Sequence, residues 1–263
     1  INQIYICAAR VGGIYANSKY PANFIYENIV LTTNIIHAAH ILGIKKIMYL
    51  GSSCMYPKIT NRPIRENDLL NGSPEKTNEF YSIAKISGIK LAQSYNKQYG
   101  MDIRCIIPNN LYGYNDKYHH MKSHVVPALI KKIYNAKKNY KKSISLWGTG
   151  KPKRELLFIS DLSFFVIKIM SISQRFFYSL TEGDYLINVG SGQEYSIKEL
   201  SKIISKVVGY KGQIKFDLNK MDGVKRKLLD TSRQKKLNLN PKINLKSGLE
   251  LTLEDYKKQI KFK

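Results

Sequence analysis

Two short stretches hold the side chains that could do chemistry. Gly51-Ser52-Ser53-Cys54-Met55-Tyr56-Pro57 sets two hydroxyls and a thiol directly after Lys45-Lys46-Ile47-Met48-Tyr49-Leu50, which reads as a short buried strand. Further on, Tyr81-Ser82-Ile83-Ala84-Lys85 puts a phenol and an ammonium four residues apart on one helical face. A phenol can give a proton to an oxygen that is gaining charge, and a nearby ammonium makes the phenolate easier to form. A hydroxyl can hydrogen-bond the same oxygen. Together these are the parts of a hydride-transfer site. Alone, Tyr81 and Lys85 would be an ordinary exposed helical pair and Cys54 a small core filler; each gains meaning from the other stretch.

Such groups need a frame, and the flanking sequence supplies one. In open parallel sheets, ligands bind in the crevice beyond the carboxyl ends of the strands. Ile4 to Ala9 reads as a strand, followed by Arg10-Val11-Gly12-Gly13, whose glycines permit a tight turn and close ligand approach. Phe24 to Gly43 reads as a helix ended by Gly43, and it leads into the strand before Gly51. A second helix from Glu79 stops at Gly100, and a strand from Ile103 to Ile107 runs into the loop Pro108-Asn109-Asn110-Leu111. Three strands thus deliver three loops to one edge. Beyond Gly113 come a helix from Val125 to Lys138, a strand from Ile144 to Trp147 and the turn Gly148 to Pro152. A strand and a helix starting near Ser160-Asp161 follow within Arg154 to Ser173, then a strand from Tyr185 to Val189. The last clear element is a helix from Ser196 to Val208, with Ser196 as cap beside Glu199. The expected fold is α/β, a doubly wound parallel sheet with a smaller C-terminal α/β domain. The boundary falls near Leu111, giving domains 1–111 and 112–263, with about 155–190 returning to the first.

Composition narrows the class. At 263 residues and 43% hydrophobic, the chain can fill the core of one large domain, or of a domain with a smaller companion. No apolar run is long enough to span a bilayer, and the opening residues lack the charged front and cleavage pattern of an export signal. A soluble cytoplasmic chain is expected. Cys7, Cys54 and Cys105 show neither metal-type spacing nor an even count, so reduced thiols and no metal are expected. His37 and His40 are three apart on a helix but have no evident third ligand; Cys7 and Cys105 read as core. The formal net charge of +24 suits phosphate-bearing partners. Its lysines are spread along the chain in no single stripe and form no recognisable nucleic-acid module.

Several stretches carry a resemblance: AARVGGIYANSKYPANFIYENI, GSSCMYPK, TNEFYSIAKISGIKL, NNLYG, SHVVPALI, WGTGKPKRE, INVGSG and KRKLLD. With them the chain resembles the GDP-L-fucose synthases, epimerase-reductases of the extended short-chain dehydrogenase/reductase superfamily, over nearly its whole length. The resemblance implies an NADP-binding Rossmann domain at 1–111 and a domain at 112–263 that holds mainly the nucleotide sugar. It implies that GDP-4-keto-6-deoxy-D-mannose is inverted at C3 and C5 and reduced at C4 with NADPH. Tyr81 is then the proton donor, Lys85 supports it and holds the nicotinamide ribose, and Ser52 hydrogen-bonds the C4 oxygen. Cys54 and His124 exchange protons at the inverted carbons. Leu50, Gly51, Ser52, Ser53, Tyr81, Lys85, Pro108, Asn109, Asn110, Leu111 and His124 face the cofactor, with Asn110 and Leu111 also near the sugar. Lys132, Trp147, Arg154 and Asp222 hold the GDP. Two helices per subunit, 24–43 and 79–99, are expected to pair in a homodimer.

The same resemblance exposes departures. Lys132 stands for Arg, Phe80 and Tyr114 for Pro, Asn109 for Thr, Ser160 for Asp and Met221 for Pro. His119 and His120 show that the loop before His124 carries imidazoles outside the family register. The Gly-rich turn that grips a dinucleotide's pyrophosphate does not occur, so roughly the first fifty residues of the family pattern have no counterpart here. The chain by itself is therefore expected to bind NADP weakly and to leave part of its sheet uncovered. Two other readings stand beside this one: another nucleotide-sugar epimerase or reductase of the superfamily, and an inactive remnant that binds phosphate or nucleic acid.

Overall fold

The computed structural model describes residues 1–59, 61–118 and 123–261. Its strands are β1 (Gln3–Ile6), β2 (Lys46–Leu50), β3 (Asp102–Pro108), β4 (Asn110–Tyr112), β5 (Ser143–Trp147), β6 (Lys153–Phe158), β7 (Leu186–Val189), β8 (Glu194–Ser196) and β9 (Gln213–Asp217). Its helices are α1 (Ile14–Lys19), α2 (Pro21–Ile41), α3 (Glu79–Tyr99), α4 (Val125–Lys138), α5 (Ile159–Ser171), α6 (Gln174–Leu180), α7 (Ile197–Val208), α8 (Ser232–Lys236) and α9 (Leu245–Lys261).

Side-chain alternation decides the central sheet. β1, β2, β3 and β7 pair in that order, all parallel. Ile47, Tyr49, Cys105 and Ile107 point to one face, where Ile36 and Ala39 of α2 and Ile89 and Ala92 of α3 cover them. Met48, Ile106, Ile187 and Val189 point to the other, under Leu162, Phe165 and Ile169 of α5. A strand apolar on both faces needs helices on both, and the result is the expected α/β fold with a doubly wound parallel sheet.

One contact seats α3. Gly88 lies so close to the Tyr49 ring and to Thr32 of α2 that a β-carbon would overlap the phenol. The Tyr49 hydroxyl donates to the Lys85 carbonyl at 3.3 Å, and burial pushes that phenol's pKa well above its usual value. Gly100, at φ +61°, closes the helix through its N–H to the Asn96 carbonyl. On the opposite face, Arg104 is fully buried, forked onto Asp102 and donating to the carbonyls of Ile169 and Ile172. A guanidinium paired in this way ties the end of α5 to β3.

The C-terminal half builds a second core from α4, α7, α9 and the inward faces of β5 and β6. β4 pairs parallel with β6, β6 antiparallel with β8, and β5 parallel with β9. Ser196 and Glu199 form the anticipated reciprocal cap on α7.

Four expectations need correction. β1 stops at Ile6 rather than Ala9, because Cys7 N–H turns back to the Tyr5 carbonyl at 3.2 Å and leaves the sheet. Cys7 is accordingly exposed, whereas Cys105 is buried as expected. Asn110 and Leu111 do not lie in a loop; they form β4 against Leu156 and Leu157. The helix expected from Phe24 begins at Pro21, whose missing N–H suits the first helical turn, and α1 precedes it. No helix among the described residues is long and apolar enough to cross a membrane.

Candidate active site

The carboxyl end of β2 breaks into a short 3-10 turn at Ser53–Met55, and this turn presents the hydroxyls and thiol. Gly51 leaves no room for a side chain against Met55 and the Ile106 carbonyl, which brings the turn hard against β3. Ser52 caps it, its Oγ accepting from Cys54 N–H at 3.3 Å. From α3, the buried Ser82 hydroxyl reaches the Cys54 carbonyl at 3.0 Å and the Asn78 carbonyl at 2.9 Å. The turn and the start of α3 are thereby one unit.

Tyr81 stands on that first helical turn, half-buried, with its ring edge against Phe24 at 6.3 Å. Burial raises its pKa, negative charge on Cys54 raises it further, and hydrogen bonding from Ser52 offsets part of the rise. It is therefore a phenol that keeps its proton until something draws it off. One turn on, Lys85 is 4% exposed, its Nζ donating to the Leu50 carbonyl at 2.8 Å and lying 4.8 Å from the Tyr49 ring. Burial lowers its pKa to about 8. Leu50 O is the ammonium's one hydrogen-bond acceptor among the described residues, so two of its three donors are free for an incoming hydroxyl. That donor set fits a ribose.

Asn109, directly after β3, gathers the next group. Ser53 Oγ donates to its Oδ1 at 3.4 Å, Asn110 N–H and Nδ2 donate to the same oxygen at 3.0 and 2.9 Å, and its own Nδ2 donates to Glu155 and to the Lys227 carbonyl. Pro108 ends β3 opposite Val189, and Leu111 packs partly buried beside the α5 core.

Cations close the site from the C-terminal half. Lys227 Nζ reaches Cys54 Sγ at 3.6 Å. Arg154 donates to the carbonyls of Lys153 and Val224, each at 2.7 Å. Burial lowers the pKa of its half-buried guanidinium, and negative charge on Cys54 and Asp222 offsets part of that fall. Asp222 accepts from Thr149 N–H at 2.8 Å and Thr149 Oγ1 at 2.6 Å, and these bonds hold its pKa low.

The structure therefore brings Ser52, Cys54, Tyr81, Arg154 and Lys227 to one place, with Lys85, Asn109 and Asn110 alongside. Three of the anticipated residues lie apart. His124 is exposed at the amino end of α4, and no hydrogen bond joins it to Cys54 or Tyr81 among the described residues. Lys132 is exposed and its charge is opposed by Lys141. Trp147, 70% exposed at the end of β5, has Lys220 over its ring at 5.8 Å. His119 and His120 lie outside the described residues.

Residues 1–176 match the family model described as the NAD dependent epimerase/dehydratase family. A GDP-L-fucose synthase of Escherichia coli is 46% identical over 255 residues, covering 97% of this chain and 79% of that protein. The chain belongs to the NAD dependent epimerase/dehydratase family, in its GDP-L-fucose synthase branch. GDP-L-fucose synthase 1 of Arabidopsis thaliana is 44% identical over 98% of this chain and 77% of its own length. Among solved structures, a GDP-6-OMe-4-keto-L-xylo-heptose reductase from Campylobacter jejuni superposes with a TM-score of 0.87 at 32% identity, over 98% of this chain and 83% of that one. A Naegleria fowleri GDP-L-fucose synthetase bound to NADP gives 0.83 at 25% identity, over 99% and 78%.

Within this family setting, three residues that sequence reasoning passed over become visible. Ser82 lay inside the Tyr-Lys stretch, at the spacing of a residue facing the sheet. Lys227 lies within KRKLLD and Glu155 within WGTGKPKRE, but neither stands close in sequence to a reactive group. Contacts across more than a hundred residues carry no local signal, as with Lys227 and Cys54.

The buried Lys85 has a measurable consequence. Its ammonium keeps its proton to pH 10.5 when the chain is unfolded but gives it up near pH 8 when folded, so the unfolded state binds more protons between those values. Stability should rise with pH across that window, by at most about 2 kcal/mol from pH 8 to 9.5. Urea midpoints measured at pH 7, 8 and 9.5 should show the rise in the unmodified chain and lose it in Lys85→Met. An unchanged pH slope in Lys85→Met would show that the lysine is not the titrating group.

Proposed function

We propose that this chain makes GDP-L-fucose from GDP-4-keto-6-deoxy-D-mannose, inverting C3 and C5 and reducing the C4 ketone with NADPH. Family membership supports the reaction class. The observation that carries the site is the convergence of Ser52, Tyr81 and Cys54 at the carboxyl end of β2, with two cations, Arg154 and Lys227, across from the thiol.

NADPH, when bound, supplies a hydride. Lys85 and the strand ends Leu50–Gly51 and Pro108–Asn109 are the groups that would hold its nicotinamide half, Lys85 through the ammonium donors that Leu50 leaves free. Ser52 and Tyr81 share the C4 oxygen of the sugar. Ser52 donates a hydrogen bond as that oxygen gains charge during enolisation and again during reduction, and Tyr81 delivers the proton that completes the alcohol. A phenol of raised pKa suits a donor, since it does not ionise beforehand. Cys54 moves protons at the inverted carbons, with Lys227 against its sulfur; His124 is the proposed second group, from the amino end of α4. Arg154 offers its cation to the diphosphate, with Lys132, Trp147 and Asp222 farther along the nucleotide. Lys132, in place of Arg, keeps the charge without the fork.

The outward faces of α2 and α3 carry Tyr26, Phe80 and Ile83, respectively 68%, 44% and 39% exposed, which supports a homodimer built on these helices. Three free cysteines accord with the reducing cytoplasm.

With the keto-sugar and NADPH, the chain should oxidise the cofactor and yield GDP-L-fucose, and Tyr81→Phe should slow oxidation about a hundredfold. Deuterium from heavy water should still enter C3 and C5 in that variant. A folded chain that neither oxidises NADPH nor exchanges deuterium would sink the assignment. Light scattering at micromolar concentration should give twice the chain mass; a strictly monomeric species would remove the dimer.

A further inference from the structure

Glu155 is a fully buried carboxylate with no part in the chemistry outlined above. It sits in β6, next to Arg154, and three segments far apart in sequence donate to it. Its Oε2 accepts from Asn109 Nδ2 and from Leu229 N–H at 3.0 Å, and its Oε1 from Gly192 N–H at 2.7 Å. Gly190 leaves no space for a β-carbon beside it, and Gln234 clamps Gly190 from the far side through both its N–H and its carbonyl. Burial raises the Glu155 pKa while these donors work to lower it.

The contacts form a closed ring. From Glu155, one arm runs through Asn109 to Ser53, the residue before Cys54. The other runs through Leu229 and back along the chain to Lys227, whose carbonyl accepts from the same Asn109 at 3.1 Å. The arms meet where Lys227 Nζ touches Cys54 Sγ. One carboxylate thus anchors both members of the thiol–ammonium pair.

We propose that Glu155 is a positioning residue that sets the spacing between Lys227 and Cys54, and through it the proton exchange at the sugar carbons. The second half of this statement rests on the reaction proposed above; the first does not. Only a carboxylate serves, because every neighbour is a donor: an amide in its place turns its own NH2 toward at least one of them.

The test uses the whole chain and reads the rate at which iodoacetamide modifies Cys54, followed by peptide mass spectrometry, together with deuterium entry into the keto-sugar. An ammonium beside a sulfur promotes its reaction as thiolate, so Lys227→Met should slow Cys54 modification about five- to tenfold. Glu155→Gln should slow it comparably, and the double variant should be no slower than Lys227→Met alone, since both changes remove one contact. Deuterium exchange should fall in the same order. Multiplying effects in the double variant, or a Glu155→Gln rate equal to that of the unmodified chain, would overturn the proposal. Should Glu155→Gln fail to fold, Asn109→Ala severs the same ring, with Cys105 staying unmodified as the sign of an intact core. Slowed Cys54 modification there supports the proposal and an unchanged rate overturns it. An unmodified chain whose Cys54 behaves as described but which exchanges no deuterium would refute the reaction and leave the positioning role standing.

Discussion

Gly88 meets the Tyr49 ring with no room for a side-chain carbon, and that approach fixes where α3 lies on the sheet. Because helix and strand are rigid, seating one point of α3 on β2 also sets the residues a turn or two earlier. Lys85 then falls against the Leu50 carbonyl, Ser82 against the Cys54 carbonyl, and Tyr81 beside Ser52. The Tyr81 phenol and the hydroxyl-bearing turn come from different elements, yet one helix–strand contact determines their spacing. The cost is borne by burial: Tyr49, Tyr81 and Lys85 are all driven toward their neutral forms.

The second half of the site depends on a different kind of constraint. Lys227 reaches Cys54 from the segment between β9 and α8, which is neither helix nor strand, and Arg154 stands at the start of β6, so regular structure does not by itself hold both cations in place. Polar contacts do that work instead. Glu155 collects donors from the loops after β3 and β7 and from the segment before α8, and Asn109 relays between them. A buried carboxylate satisfied by three N–H groups is rigid, and losing its acceptors would leave those donors unpaired in the interior. Backbone packing thus sets Tyr81 and Lys85, and a hydrogen-bonded ring sets the thiol.

How much of this could be read in advance follows from the range of each interaction. α3 was legible to its ends because Gly100 stops it, and the α7 cap because Ser196 and Glu199 are three residues apart. The α/β class followed from apolar strands alternating with helices. β1 was overextended because Cys7, Ala8 and Ala9 are as apolar as the strand before them, and only a backbone turn takes them off the sheet. β4 was missed because three residues show no period, and pairing with β6 defines it. Spacing and likeness to a family single out Ser52, Cys54, Tyr81 and Lys85, and the structure places them as neighbours. The same likeness puts His124 with them, and the structure leaves it exposed at the amino end of α4. Glu155 and Lys227 stayed silent, since a lone acid in a strand and a lysine in a basic chain look like nothing in particular.

The central claim is that one site carries two separable chemistries, reduction through Ser52 and Tyr81 and inversion through Cys54. Nuclear magnetic resonance of the product formed by Cys54→Ser in heavy water, with the keto-sugar and NADPH, tests it most directly. The account predicts a sugar reduced at C4 that keeps its original configuration at C3 and C5 and carries little deuterium there. A product fully inverted and deuterated at both carbons would contradict it, by showing that the thiol takes no part.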